Sequence, residues 1–81
     1  MAYSEEEIDF IIKFGANLRK FRESKEMSME DLANACDMEY SLISRIERGK
    51  INTKISTTNA LAKGLKVPLK ELFDFNKTNN L

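Results

Sequence analysis

Apolar residues recur every three or four positions along most of the chain, which is the spacing of amphipathic helices. In the N-terminal third these residues are Ile8, Ile11, Phe14, Leu18 and Phe21. Ser4 followed three residues later by Glu7 has the form of a capping box. The pattern predicts a first helix from residue 5 to about Lys25, with Gly15 as a tolerated point of close packing.

Two shorter helices are predicted next, separated by a tight turn. Ser28 is a typical N-cap, and Asp31 follows it at the third position. The residues of this second helix expected to face inward are Leu32, Ala33 and Cys36. Asp37 lies where the chain must turn, and Asp tolerates left-handed backbone better than most residues. The third helix is predicted over about Tyr40 to Arg48, ending at Gly49, a good C′ residue.

A fourth helix is predicted after a loop over residues 50–56. Ser56 or Thr57 is expected to cap this helix, and Ile55 in the loop is expected to lie in the core. The apolar positions of the fourth helix are Leu61 and Leu65.

The C-terminal residues predict a short fifth helix, because Pro68 suits a first helical turn and PLKELF follows from it. With no strand pattern, the expected fold is all-α, a compact five-helix bundle. We expect one domain over residues 1–81. Residues 1–13 would form an acidic helical extension, and residues 74–81 a polar tail that frays.

Composition indicates a small globular chain, since 42% of its 81 residues are apolar and 32% are charged. Its apolar runs fall short of the roughly 20 residues of a membrane span, and MAYSEEEID does not have the form of a secretory signal. Cys36 is the single cysteine, and we interpret it as a small buried hydrophobe rather than a redox sensor. These features favour a cytoplasmic protein with no membrane partner.

The formal charge of zero argues at first against a nucleic-acid partner. The charges are unevenly placed, however, because residues 5–9 hold four acidic side chains. From Tyr40 to Lys70 there are seven basic residues against a single acid, Glu47. A local basic surface of this kind is sufficient for phosphate contacts, since salt screens the distant acidic end.

The third helix carries the residues best suited to DNA. With Ile43 pointing inward and Ile46 beside it, the far side of the helix is polar. Arginine pairs bidentately with guanine, so Arg45 is the best candidate for reading a base. A solvated helix face is the alternative, but a short helix after a tight turn fits the major groove. Tyr40, at the N-terminal tip of the helix, and Ser41 are placed to reach base edges, a thymine methyl or a phosphate, and Ser44 lies on the same polar side.

Phosphate contacts are expected on both sides of the third helix. The start of the second helix offers backbone N–H groups, and basic and amide side chains follow the third helix. The predicted phosphate contacts are Met29, Glu30, Arg48, Lys50, Asn52 and Lys54. Arg19 on the first helix is a further candidate, with a plain solvated role as its alternative.

Glu47 falls about 40° from Ile43 on the helical wheel, on the inward side, where an unpaired carboxylate is costly. Arg22 occupies the corresponding place on the first helix, four residues after Leu18. We therefore predict an Arg22–Glu47 ion pair that joins the first helix to the third. Its role would be positional, because buried ion pairs add little net stability.

These segments resemble the Cro/C1-type (XRE) helix-turn-helix family. The matching strings are LRKFRESKEMSMEDLA, SLISRIERGK and TNALAKGLKVPLKELF, which together cover about residues 14–73. The resemblance implies a bundle of the lambda-repressor-like type, with the helix-turn-helix formed by helices 2 and 3. It also implies a transcription regulator that binds palindromic operators as a dimer. The resemblance implies base contacts from Tyr40, Ser41, Ser44 and Arg45, and it supports the Arg22–Glu47 pair.

The chain departs from the family pattern at four positions. Met29 stands where many members have a glutamine that braces a phosphate contact. Asp37 and Glu26 stand where glycine is usual in the two turns. Glu39 replaces a Ser or Thr cap at the start of the third helix, and its charge would repel a nearby phosphate.

An enzyme is not expected, because the chain has no histidine and no acidic pair at catalytic or metal-binding spacing. No cofactor or metal is expected either. The sequence predicts a sequence-specific double-stranded DNA-binding regulator, with repression as its expected action. The alternatives are an antitoxin or restriction–modification controller, and an interaction module that has lost DNA binding. Two surfaces are candidates for a homodimer: Leu69, Phe73 and Phe75, or Ile8, Phe10 and Ile12. The alternative is that these apolar residues only cover the core of the monomer.

Overall fold

The computed structural model describes residues 2–75, which form five helices joined by turns and loops and contain no strand. The helices are α1 (Glu5–Ser24), α2 (Met29–Cys36), α3 (Tyr40–Glu47), α4 (Ile55–Leu65) and α5 (Leu69–Leu72). The predicted all-α class and the five helices are confirmed. Of the predicted polar tail, residues 76–81 lie outside the described residues.

The core lies where the helices converge, and each of the five contributes to it. Its buried apolar residues are Phe14, Leu18, Leu32, Ala33, Ile43, Ile46, Leu61, Ala62, Leu65 and Leu72. The apolar positions identified in α2, α3 and α4 therefore pack together with Phe14 and Leu18 of α1, whereas Ile8, at the start of the α1 pattern, is exposed.

The predicted capping box at Ser4 is present, and the predicted N-cap Ser28 forms a second one with Asp31. The Glu7 backbone N–H donates to Ser4 Oγ over 3.1 Å, and the Ser4 N–H donates to Glu7 Oε1 over 2.8 Å. At the start of α2, the Asp31 and Ser28 N–H groups donate reciprocally to Ser28 Oγ and Asp31 Oδ2, each over 2.9 Å. Accepting the Ser28 N–H lowers the pKa of the Asp31 carboxyl. This cap therefore stabilises α2 above the ordinary pKa of the carboxyl and is lost as pH falls through the lowered value.

The turn between α2 and α3 has the predicted left-handed residue. Asp37 has φ 55° and ψ 49°, and the next residue, Met38, donates its N–H to the Ala33 carbonyl over 2.8 Å. Gly49, with φ 68°, follows the end of α3 as predicted. Glu26 also has a positive φ of 58° before α2. The two positions where the family favours glycine thus keep a left-handed backbone without it.

The prediction for the start of α4 is wrong. The helix begins at Ile55, with Lys54 as its N-cap, so neither Ser56 nor Thr57 is the capping residue. Ile55 is 85% exposed and not in the core. The reason is that another residue of the loop, Ile51, packs against the core in its place.

The start of α5 also differs from the prediction by one residue. Pro68 is the N-cap of α5 and not part of its first turn, and the helix ends at Leu72. An extended conformation at Pro68, with ψ 141°, satisfies the fixed φ of proline equally well.

Asn17 ties α5 to α1 and was not singled out in the sequence. Its side-chain Nδ2 donates to the carbonyl oxygens of Glu71 and Leu72, each over 2.9 Å. Asn17 is buried beside Leu18. A polar residue on the inward face of an amphipathic helix is the signal that could have identified this contact.

Cys36 and Gly64 meet where α2 packs against α4. Cys36, interpreted from the sequence as a small buried hydrophobe, is half-buried and packs against the core, and this burial raises the pKa of its thiol. A Cβ added at Gly64 would collide with Cys36 Sγ. The glycine therefore makes room for the sulfur atom.

We expect Gly64→Ala to lower the free energy of unfolding by about 1–3 kcal/mol, because the added methyl overpacks this contact. In a Cys36→Ala background, Gly64→Ala should raise the free energy of unfolding by up to about 1 kcal/mol, since alanine has a higher helix propensity than glycine. Urea unfolding of the four proteins measures both effects. An equal effect in the two backgrounds would show that the sulfur atom is not the obstacle.

Candidate nucleic-acid interface

The exposed face of α3 carries three of the four predicted base-contacting side chains. Ile43 and Ile46 are fully buried and fix the inward side of the helix. On the opposite side, Ser41 and Arg45 are exposed, and Tyr40 at the first residue of α3 is 51% exposed. The structure therefore brings Tyr40, Ser41 and Arg45 together on a solvent-facing surface of the size that enters a major groove.

Ser44 differs from these three residues. It is half-buried, and both its hydroxyl and its carbonyl oxygen accept from Arg48 Nε over 3.3 Å. Ser44 thus orients Arg48, which is the C-cap of α3. A base contact from Ser44 stays a prediction.

The predicted Arg22–Glu47 ion pair is present and holds α3 against α1. Arg22 Nε donates to Glu47 Oε2 over 2.6 Å, and Arg22 Nη2 donates to Glu47 Oε1 over 3.0 Å. The hydrogen bond to Glu47 raises the pKa of the guanidinium, which therefore keeps its charge. The paired atoms lie nearly out of contact with water, since the Glu47 side chain is 4% exposed.

Arg22 also contacts the segment that leads into α2. Its Nη1 donates to the Met27 carbonyl oxygen over 2.7 Å. One guanidinium therefore joins α1, α3 and the residue preceding the Ser28 cap. This arrangement fixes the start of α2 relative to α3, which is the geometry a helix-turn-helix needs for positioning on a duplex.

Three of the predicted phosphate-contacting residues share a groove of about 200 Å³ that spans α1, the start of α2 and α3. They are Arg19, Met29 and Arg48, and Ser44 also lines the groove. Arg19 is exposed and pairs with Glu23 over 3.3 Å on the same helix. The Met29 side chain packs against the core, so its available group toward a phosphate is its backbone N–H. Glu30 in the same turn is exposed and carries a negative charge.

The remaining phosphate candidates lie in the loop after α3, which we call the exit loop (residues 50–54). Lys50, Asn52 and Lys54 are exposed there. Asn52 also lies beside Glu6 and Glu7 of α1. The structure thus places the acidic start of α1 next to the exit loop, because this loop lies against α1. The expectation that the acidic end is distant from the basic residues is therefore wrong.

Glu39 precedes α3 as its N-cap, and its side chain makes no capping hydrogen bond. Over residues 2–75, no group of three or more His, Cys, Asp or Glu side chains is placed to hold a metal ion. Within the same part of the chain, no helix is long and apolar enough to cross a membrane.

Comparison with known proteins agrees with this geometry. The sequence profile described as "Helix-turn-helix domain" matches residues 13–74. The chain is 41% identical over 68 residues to control protein C.BamHI of Bacillus amyloliquefaciens, covering 83% of this chain and 84% of that protein. It is 36% identical over 66 residues to control protein C.MunI of Mycoplasma sp, covering 80% and 89%. The crystal structure of the restriction-modification controller protein C.AhdI from Aeromonas hydrophila superposes with a TM-score of 0.76 at 35% identity, covering 78% of this chain and 96% of that one.

The chain therefore belongs to the helix-turn-helix proteins of Cro/C1 (XRE) type, a family of DNA-binding transcription regulators. The fold predicted from the family resemblance is confirmed. The individual DNA contacts stay predictions.

Proposed function

We propose that this protein is a restriction–modification control protein that binds a palindromic operator as a homodimer and regulates transcription. The observation that carries the proposal is the exposed face of α3, with Tyr40, Ser41 and Arg45 directed to solvent. The other side of the helix is fixed by Ile43, Ile46 and the Arg22–Glu47 pair. A rigidly held helix with a polar outer face can read base edges in the major groove.

The controller role is favoured by the two relatives named as control proteins, which match about four-fifths of the chain. Relatives of this length and identity share the fold and the helix-turn-helix. One short α3 reads few base pairs, and a second copy would double the contacted sequence. Two-fold symmetry of the protein would then match a palindromic site.

The neutral net charge is compatible with DNA binding because the basic side chains are concentrated on α3 and the exit loop, although Glu6 and Glu7 lie near Asn52 of that loop. Arg45, Arg48 and Lys50 follow one another on α3 and into the exit loop, and all three are exposed. Their contribution to binding is electrostatic and falls with added salt. An interaction module with no DNA binding would lack this dependence.

Operator binding is tested by selecting bound duplexes from a random library and measuring their affinity at several salt concentrations. For the wild-type chain we expect a two-fold symmetric sequence and a steep loss of affinity with salt. For Arg45→Ala we expect the preference at one symmetric pair of positions to disappear, with a loss of about tenfold or more in each half-site. Background binding to unrelated DNA should remain.

Lys63→Ala is the matched control, because Lys63 is an exposed cation on α4 for which no DNA contact is predicted. It should leave the selected sequence unchanged. A uniform loss of affinity in Arg45→Ala, with the sequence preference kept, would make Arg45 a phosphate contact. If the wild-type chain binds no duplex at low salt, the proposed function is wrong and the interaction module is favoured. A reporter gene behind the selected operator tests regulation, and repression is the expected result.

A further inference from the structure

Glu39 brings a negative charge to the N-terminal end of α3, the helix proposed to read DNA. It is exposed and immediately precedes Tyr40 and Ser41. Its backbone is extended, with φ −72° and ψ 142°, and its carbonyl oxygen accepts the Leu42 N–H over 3.1 Å. The backbone of Glu39 is thus fixed to α3, while its side chain makes no capping hydrogen bond.

Other acidic side chains of the helix-turn-helix are engaged by the fold. Asp31 closes the cap of α2 with Ser28, and Glu47 is paired with Arg22. In the described part of the chain, the Glu39 carboxylate takes part in no capping bond and in none of the ion pairs. Holding α3 in place therefore does not require this carboxylate, which is available to a ligand.

Glutamate is also a poor choice for helix stability at this position. Ser, Thr, Asp and Asn cap helices well, because a short side chain brings its oxygen to the N–H groups of the first turn. The longer Glu39 side chain does not do so. Departures from a local rule of this kind are expected at functional sites, and this one lies beside the exposed face of α3.

A carboxylate has few favourable partners on DNA. It accepts hydrogen bonds but donates none, and phosphates repel it. In the major groove the donors are the amino groups of adenine N6 and cytosine N4. The adenine amino group lies beside the acceptor N7, which repels a carboxylate, whereas the cytosine amino group has no acceptor next to it on its own base. Cytosine is therefore the base that fits.

We propose that Glu39 is a specificity-determining residue that accepts a hydrogen bond from the N4 amino group of one cytosine in each half-site of the operator. The inference rests on the proposed function, because it assigns a base to one side chain of that DNA-reading surface. Six residues, at a rise of roughly 1.5 Å each, place Glu39 about 9 Å from Arg45 along α3. The cytosine is therefore at a different base pair from the guanine that Arg45 is predicted to read.

Selection of bound duplexes from a random library by the full chain tests this assignment. For the wild type we expect cytosine at one symmetric pair of positions. Glu39→Gln should change the preferred base there to adenine, because a glutamine amide pairs with adenine N6 and N7 together. Glu39→Ala should lose the preference there and keep the one at the Arg45 position. Its affinity for the wild-type operator should fall by about fivefold or more in each half-site.

The sign of the effect separates base reading from simple repulsion. Removing the negative charge weakens the repulsion from phosphates, so Glu39→Ala should bind unrelated DNA about twofold or more tightly. Its affinity should thus fall on the operator and rise on unrelated DNA. Glu26→Gln is the matched control for Glu39→Gln, because Glu26 is an exposed acid of the turn before α2 for which no DNA contact is predicted. It should leave the selected sequence unchanged.

Glu39→Ser separates base reading from stability. Serine is a good N-cap, so the melting temperature of this variant should rise by several degrees. Its affinity for the operator should nevertheless fall as in Glu39→Ala, because the short hydroxyl is engaged by the first turn of α3. A loss of operator affinity in a more stable protein does not come from damage to the fold.

A modified base tests the hydrogen bond itself. N4-methylcytosine at the assigned position keeps the amino hydrogen that pairs with guanine and replaces the one that faces the major groove. The wild type should bind this operator about fivefold or more weakly in each half-site, whereas Glu39→Ala should bind the methylated and unmodified operators within about twofold of each other.

The proposal is overturned if Glu39→Ala keeps the selected sequence and binds both kinds of DNA more tightly, since Glu39 then only repels phosphates. It is also overturned if the position that responds to Glu39→Gln is not cytosine in the wild-type selection, or if methylation weakens the wild type and Glu39→Ala equally. Each of these results leaves the proposed function standing, because the wild type still binds its operator. A wild-type chain that binds no duplex at low salt rejects the proposed function and this inference with it.

Discussion

Arg22→Met is expected to lower the free energy of unfolding by about 3–5 kcal/mol, because it leaves the buried Glu47 carboxylate without its partner. Both oxygens of that carboxylate are bound by Arg22 in the native protein. The change also removes the donor to the Met27 carbonyl. For a small domain this is a large part of the total stability, so a substantial unfolded population is expected at 37 °C.

Urea unfolding of four proteins measures this effect. Besides Arg22→Met, they are the wild type, Arg22→Met with Glu47→Leu, and Arg19→Met. The double variant removes both charges, and we expect it to recover most of the lost stability, since apolar replacements of buried ion pairs are often neutral. Arg19→Met breaks an exposed pair with Glu23 and should cost less than about 1 kcal/mol. A double variant as unstable as Arg22→Met would show that the unpaired charge is not the cause.

The ion pair is therefore expected to position α3 against α1 rather than to add net stability. The double variant should fold, but it would lack the two Arg22–Glu47 hydrogen bonds that hold α3 against α1. Its affinity for a selected operator should fall more than its affinity for unrelated DNA, because base contacts need closer positioning than phosphate contacts.

Periodicity and capping residues predicted the helices of this protein well. The helical spacing of apolar residues in α1, the capping box at Ser4 and the N-cap at Ser28 are local signals, and each was confirmed. The Arg22–Glu47 pair could also be predicted, because a charged residue on an apolar helix face demands a partner. That partner, Arg22, occupies the corresponding inward position on α1.

The error at the start of α4 arose because the local sequence of the loop supported two assignments of the buried residue equally well. Ile51 and Ile55 are both apolar residues of one predicted loop, and spacing alone does not say which one packs inward. In the structure Ile51 packs against the core and Ile55 is left exposed. The proximity of Phe10 to Phe73 and Phe75 depends on how α1 and α5 meet, which no local pattern encodes. The sequence therefore did not predict that these aromatic residues of α1 and the C-terminal segment lie together.

Gly15→Ala is expected to lower the free energy of unfolding by about 2–3 kcal/mol, although alanine is the better helix former. A Cβ at Gly15 would lie 2.9 Å from the Glu47 carbonyl oxygen and closer still to that of Ile46. Both obstacles are backbone atoms of α3, so the added methyl is accommodated by moving the two helices apart. Overpacking of this kind typically costs about 1–3 kcal/mol, and a collision with backbone should lie at the upper end.

Ala16→Gly is the matched control, because Ala16 is the next residue of α1 and is exposed. There the helix preference acts alone, and glycine should cost about 1 kcal/mol. Free energies of unfolding in urea should thus favour glycine at position 15 and alanine at position 16. If alanine is preferred at both, α1 and α3 can separate at little cost and the close approach at Gly15 is not required.

The same variant tests how α3 is held for DNA. Gly15 and Arg22 both contact α3 near its C-terminal end, at Ile46 and Glu47. Separating the helices there should tilt α3 and move Tyr40 and Ser41, at its other end, relative to a bound duplex. We therefore expect folded Gly15→Ala to lose its preference for the selected operator while its salt-dependent binding to unrelated DNA is kept, since Arg48 and Lys50 need only approach phosphates. Equal losses of affinity for the operator and for unrelated DNA would mean that the spacing between α1 and α3 determines stability but not the position of α3 in the major groove.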